Sequence, residues 1–195
     1  MLGYSFFDSI QNGFHLIYTK LFWKKARLVR RPIMVRNKRN FSYGTGFTCG
    51  TYCRINPGND GELRIGDHFV MGDQCQIEAI QRVTIGNNVL LASRVYIGDA
   101  SHGIYSGEEA SSPNEPPNDR KIYTKPIDIG DNVWIGNGVS ILGGVTIGNG
   151  CIIGAGAVVT GDIPDNCIAV GCPARVVKKY IDGEWKLINS AKETE

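Results

Sequence analysis

From residue 127 onward, aliphatic side chains return at every sixth position. The stretch runs IDIGDN, VWIGNG, VSILGG, VTIGNG, CIIGAG, AVVTGD. Ile129, Ile135, Ile141, Ile147, Ile153 and Val159 hold one phase of this repeat. Val133, Val139, Val145, Cys151, Ala157 and Ile163 hold a second, four residues later. Upstream, the first phase passes through Ile65, Met71 and Ile77, slips by two residues, and resumes at Ile85, Leu91 and Ile97. Fainter copies begin at Tyr43, Cys49 and Ile55. A period of six matches neither the 3.6 of a helix nor the 2 of a strand. It predicts short strands separated by tight turns, with Gly, Asn-Gly and Gly-Asn pairs supplying the positive-φ positions. If each unit makes one flat face, three faces make a coil. Stacked coils then bury the aliphatics in a narrow core and pair their backbones in parallel.

Three segments depart from the repeat. Phe6, Phe7, Ile10, Phe14, Ile17, Leu21 and Trp23 fall at three- and four-residue spacings, which predicts helix within residues 1–31, stopped by Pro32. Such a helix either caps the open end of the solenoid and packs between copies, or lies at an anionic membrane. Residues 100–126 interrupt the solenoid with a polar, proline-containing excursion, the kind of break that carries function. Beyond Pro173, Val176, Val177, Tyr180 and Ile181 predict a short helix, with a frayed tail at 189–195. The expected organisation is a helical, basic segment at 1–40, a β-helix at 41–175 and a C-terminal helix and tail at 176–195.

Composition adds three constraints. The chain has 195 residues, 42% hydrophobic and 21% charged, which suits one globular domain. Its net charge of +2 is unevenly placed. Residues 1–59 hold ten Lys/Arg against Asp8 alone, and residues 60–195 hold eleven against eighteen acids. The basic segment suits an anionic lipid surface or a phosphorylated ligand, or is a solvated helix face; no nucleic-acid partner is expected. The six cysteines form no CxxC pair, and most occupy small apolar slots of the repeat, so buried thiols are expected, without metal. Asp8 and Gln11-Asn12 interrupt the apolar N-terminus, and the basic cluster follows the apolar residues, so no signal peptide is read there. A cytoplasmic protein is expected, with a peripheral position at the inner face of the membrane as the variant that the basic segment suggests.

With these motifs, residues 24–180 resemble the hexapeptide-repeat acyltransferases. That resemblance implies a mainly β fold, a left-handed parallel β-helix that departs from the usual right-handed crossover. It also implies a homotrimer with active sites between subunits, and acetyl-CoA as cosubstrate. In Val95-Tyr96-Ile97-Gly98-Asp99-Ala100-Ser101-His102-Gly103, His102 falls where sugar acetyltransferases of this superfamily carry their catalytic histidine. The chemistry suits it: a sugar hydroxyl must lose a proton as it attacks a thioester, and a neutral imidazole can take it. The stretches Gly154–Thr160 and Val170–Val176 are similar to the family's coenzyme A motif. By position, the resemblance assigns coenzyme contacts to Trp134, Asn137, Ala155, Thr160, Gly161, Arg175 and Lys178. Gly161 stands where many relatives have Lys, Lys178 where Arg is common, and Gly72 where disaccharide acetyltransferases carry an acceptor-binding Asn.

The stretch from Lys24 through Arg36 into Phe41–Cys49, with Ser101-His102-Gly103, looks more like O-antigen and capsule O-acetyltransferases. The expected function is therefore direct acetyl transfer from acetyl-CoA to a hydroxyl of a surface-polysaccharide sugar or its lipid-linked precursor. The alternatives are N-acetylation of an amino-sugar nucleotide and a non-catalytic β-helix scaffold. A zinc-dependent hydratase would need about three imidazoles, and His15 and His68 are poorly placed to join His102.

Overall fold

Three parallel sheets run along a prism, each contributing one strand to every full coil. The computed structural model describes residues 5–188, so the expected frayed tail at 189–195 lies outside the described residues. The first sheet stacks Leu28–Val29, Thr48–Cys49, Val70–Met71, Leu90–Leu91, Trp134–Ile135, Ile152–Ile153 and Cys167–Val170. The second stacks Ile33–Val35, Cys53–Pro57, Gln76–Ala79, Tyr96–Gly98, Ser140–Leu142 and Val158–Val159. The third stacks Phe41–Tyr43, Glu62–Ile65, Arg82–Ile85, Ile127–Ile129 and Thr146–Ile147. Equivalent residues of successive coils pair directly: Leu91 with Ile135 and then Ile153, Ile97 with Ile141 and then Val159, Ile85 with Ile129 and then Ile147. Both phases of the repeat from Ile129 to Ile163 are buried. Each fully buried aliphatic contributes roughly 1.5–3 kcal/mol relative to exposure, and the stack supplies that term without a second layer.

The turns are held by a ladder of Asp and Asn side chains. The Thr45 N–H donates to Asp67 Oδ1 at 2.6 Å, the Asp67 N–H to Asn87 at 2.8 Å, and the Asn87 N–H to Asp131 at 2.6 Å. The Asp131 N–H donates to Asn149 at 2.8 Å and the Asn149 N–H to Asp165 at 2.7 Å. The bonds from the Thr45 N–H and hydroxyl hold the Asp67 carboxyl below the usual carboxylate range. A glycine precedes most of these side chains' turns so that the next coil can approach. At Gly86 an added Cβ would lie 2.3 Å from Asp131 Oδ1 and 2.8 Å from the Gly130 carbonyl. We predict that Gly86→Ala destabilises by about 1–3 kcal/mol, read as a lower urea midpoint; an unchanged midpoint would refute this packing. The residue after the acceptor takes positive φ, as at Asn88, Asn132 and Asn166, and also at His68, where the sequence offers no glycine or asparagine.

The ends differ from the sequence expectations. The coil starts at Leu28 rather than at 41, because Leu28–Val29 and Ile33–Val35 already pair with the next coil. The helix covers Phe6–Phe22, opened by a Ser5–Asp8 capping box. Its apolar face does not close the coil. That role falls to Trp23, which is buried and stacks on Phe47 at 5.8 Å, with Phe47 stacked in turn on Phe69 at 5.7 Å. The expected C-terminal helix is a hairpin, Arg175–Ile181 with Glu184–Leu187, and its first strand pairs antiparallel with Cys167–Val170. Asp182 and Gly183, both at positive φ, make the two-residue turn that suits a right-twisted hairpin.

Candidate active site

The excursion at 100–126 opens as a two-stranded antiparallel ribbon, Ala100–His102 against Ile122–Thr124. Its root is Asp99, which is 1% exposed. One carboxylate oxygen accepts the Ile80 N–H at 2.7 Å, and the other accepts the Gln81 and Arg82 N–H groups, each at 2.8 Å. Those donors lie in the two-residue slip between Ile77 and Ile85, where the coil corner widens. Asp99 therefore satisfies the irregular corner of one coil while fixing where the excursion leaves the next.

The rest of the excursion is tied together by contacts that no sequence pattern announces. The Tyr105 hydroxyl donates to the His102 carbonyl. Arg120 donates to the Tyr105 hydroxyl at 3.0 Å and to the Glu115 carbonyl at 3.0 Å. Ser111 ties down the Ile104 backbone through its hydroxyl at 3.1 Å and its N–H at 2.7 Å. His102 is exposed, and its Nδ1 lies 3.3 Å from the Pro117 carbonyl. A carbonyl only accepts, so a neutral imidazole in this contact carries its proton on Nδ1 and keeps the Nε2 lone pair free. That is the tautomer a general base needs. A cavity of about 320 Å³ lies beside the ribbon, lined by residues that include Asp99, Ser101, Tyr105, Tyr123 and Lys125. His102 is not among the lining residues, although its chain neighbours Ala100, Ser101 and Gly103 are.

The residues expected to contact coenzyme lie on the later coils and the C-terminal hairpin, a strip that runs from the first sheet past the second and is exposed except at Lys178, which is half-buried. Trp134 is about half exposed, on the first sheet between Leu90 and Ile152. Asn137 and Ala155 are exposed on successive turns of one corner, joined by the Gly156 N–H to the Asn137 carbonyl at 2.8 Å. Nothing stands within 4 Å of where a Cβ would sit at Gly138, Gly156 or Gly161, so these turns are open on their outer side. Thr160 is exposed just past Val158–Val159, while Arg175 and Lys178 lie on the C-terminal hairpin strand. His102 leaves from the second sheet and Trp134 stands on the first, and among the described residues no hydrogen bond joins His102 to any residue of this strip.

Four of the buried cysteines are poor nucleophiles. The Cys53 thiol is pushed up to about 12, chiefly by its contact with the Cys49 thiol, with burial adding. The Cys75 thiol is raised further by Cys53 and burial, and Cys151 and Cys167 are raised by burial. Thiols held protonated at neutral pH are poor attacking groups. Cys172 alone among the six is exposed.

Several known proteins are similar to this chain. The family model "Bacterial transferase hexapeptide (six repeats)" matches residues 126–161. The chain is 37% identical over 177 residues to WbbJ of Escherichia coli K12, a putative lipopolysaccharide biosynthesis O-acetyl transferase by name, with 90% of each chain covered. Galactoside acetyltransferase, solved in complex with coenzyme A, aligns at a TM-score of 0.55 and 37% identity over 70% of this chain and 66% of that one. A hexapeptide-repeat acetyltransferase from Vibrio cholerae, solved with acetyl coenzyme A, aligns at 0.57 and 29% identity over 74% of each chain.

Proposed function

The chain belongs to the bacterial hexapeptide-repeat transferases, and we propose from that premise that it acetylates a saccharide hydroxyl, using acetyl-CoA as donor and His102 as general base. The acceptor in this reading is a sugar of a surface polysaccharide or of its lipid-linked precursor. The observation that carries the base assignment is the contact between His102 Nδ1 and the Pro117 carbonyl, which leaves Nε2 as the acceptor of a proton. The WbbJ relative, similar along nine tenths of both chains, supports a hydroxyl of a surface polysaccharide over an amine.

Acetyl-CoA, when bound, supplies an activated thioester. The residues present fit an elongated ligand of this kind. Around Asn137 and Ala155 the open corners at Gly138 and Gly156 leave room for an extended arm to lie close against the coil. Arg175 and Lys178 place cations at the end of the same coils, where phosphates would lie. Lys178 meets them as a point charge rather than a bidentate fork. The Nε2 atom of His102 takes the proton of the attacking hydroxyl as the new ester bond forms and the carbon–sulfur bond breaks. It then returns that proton to the departing thiolate. Because the imidazole lies on the outer surface of one chain, a trimer in the cytoplasm, with the coenzyme strip of one copy facing His102 of the next, completes the proposed site.

The test is an acceptor panel with labelled acetyl-CoA, containing hydroxyl-only and amino sugars. Label is expected on hydroxyl-only saccharides as an ester cleaved by mild base. Base-stable label confined to amino sugars would overturn the reading in favour of N-acetylation, and the absence of any coenzyme binding would favour a scaffold.

A further inference from the structure

The N-terminal helix sits on the protein the wrong way round for a chain that meets only water. Its buried residues are His15 and Thr19, and the large apolar side chains of the opposite face point outward. Phe7 is 80% exposed, Phe14 69% and Leu21 67%. At about 100° per residue, Phe6, Phe7, Ile10, Phe14, Ile17 and Leu21 fall within an arc of roughly 100°. Isolated apolar residues on a surface are ordinary, but a continuous row of six marks a contact surface.

The helix is held in this orientation by its polar side. The Thr19 hydroxyl accepts the Val29 N–H at 2.8 Å and donates to the His15 carbonyl at 2.7 Å. His15 Nδ1 accepts the Arg31 N–H at 3.3 Å. Burial, with Arg30 and Arg31 nearby, lowers the His15 pKa and keeps the ring neutral for that role. Turning the apolar face inward would strand these groups, so the face needs a partner outside the chain.

Charge selects the partner. Residues 5–39 hold nine Lys/Arg and a single carboxylate, Asp8, which is bound to Ser5 at the far end of the helix. Lys20 stands at the rim of the apolar arc, and Lys24 and Lys25 follow directly. A second copy apposed through this face would bring two strongly cationic segments together, whereas acidic lipid headgroups neutralise them. Seventeen residues make a helix of about 25 Å, and none of the described helices is long and apolar enough to cross a membrane. Such a helix lies in the plane of the interface, with its aromatics at headgroup depth. We propose that the Phe6–Phe22 helix docks this enzyme on an anionic bilayer surface, apolar face inserted and the following basic segment on the headgroups.

The test uses the full chain and needs no acceptor, so its outcome is independent of the proposed chemistry. Flotation is measured with vesicles of phosphatidylcholine and with vesicles containing added phosphatidylglycerol. Binding to the anionic vesicles is expected, falling roughly tenfold or more between about 0.05 and 0.5 M salt. The exposed-face variant Phe7→Ser/Phe14→Ser/Leu21→Ser should lose anionic binding by at least about tenfold, with its circular dichroism and light-scattering mass unchanged. Lys20→Glu/Lys24→Glu should lose the preference for anionic vesicles. No binding to anionic vesicles at low salt would overturn the proposal. So would a fall in light-scattering mass in the triple variant, since the face would then join copies of this chain.

Discussion

His102→Ala is expected to lower kcat for acetyl transfer by roughly 10²–10⁴, the usual contribution of a positioned general base. In barrier terms that is about 2.7–5.4 kcal/mol. Coenzyme affinity and thermal stability should stay near their original values. The imidazole is exposed, and its ring reaches only the Pro117 carbonyl among the described hydrogen bonds, with none to the proposed coenzyme residues. The base role is separated from mere loop support by a second substitution. His102→Asn keeps an amide N–H that can reach toward Pro117 but has nothing in place of Nε2. If His102 acts as base, Asn should be as slow as Ala. Recovery of most of the activity in the Asn variant would show that only the bond to Pro117 mattered and would remove His102 from the chemistry. Stopped-assay kinetics with a saturating acceptor, beside calorimetric coenzyme titration, read both quantities.

The solenoid was legible because its code is local. A six-residue period needs only the size of each side chain to place it, and the pairing of Ile97 with Ile141 and Val159 follows once three faces make a coil. The site was legible only where the repeat broke. His102 stood out because it opens the excursion, whereas Tyr105 and Pro117 touch it, and Arg120 touches Tyr105, through contacts across three to fifteen residues of irregular chain, for which no periodicity exists. Asp99 was hidden for a different reason. Gly98-Asp99 looks like the Gly66-Asp67 and Gly130-Asp131 turns, whose acids serve the exposed ladder. The spacing of Phe7, Phe14 and Leu21 identified a helix face, but periodicity does not say whether that face meets protein or another phase. At the C-terminus the opposite error arises: Val176, Val177, Tyr180 and Ile181 fit a helical spacing, and the Asp182-Gly183 turn that decides for a hairpin lies just beyond them.

The buried carboxylate of Asp99 should be the most sensitive single position outside the chemistry. Asp99→Ala leaves the N–H groups of Ile80, Gln81 and Arg82 without their acceptor at this corner. Leaving donors in these partly buried bonds unpaired costs up to about 1–3 kcal/mol each, and water entering the space left by the side chain recovers part of it. A net loss of roughly 3–5 kcal/mol is expected, or about 10 °C or more in Tm for a chain of this size. Transfer activity should fall as well, because the ribbon carrying His102 begins at the next residue. Asp99→Asn sharpens the test, since it preserves volume and removes only acceptor capacity. Two of the three N–H groups share one carboxylate oxygen and the third uses the other. Whichever way the asparagine amide turns, its NH2 group faces at least one backbone N–H, donor against donor. The isosteric change should therefore destabilise nearly as much as alanine, whereas a space-filling role for the side chain would leave the asparagine variant close to the parent. An Asn variant that melts within about 2 °C of the parent, a shift worth under 1 kcal/mol, would mean that packing rather than hydrogen bonding seats the excursion.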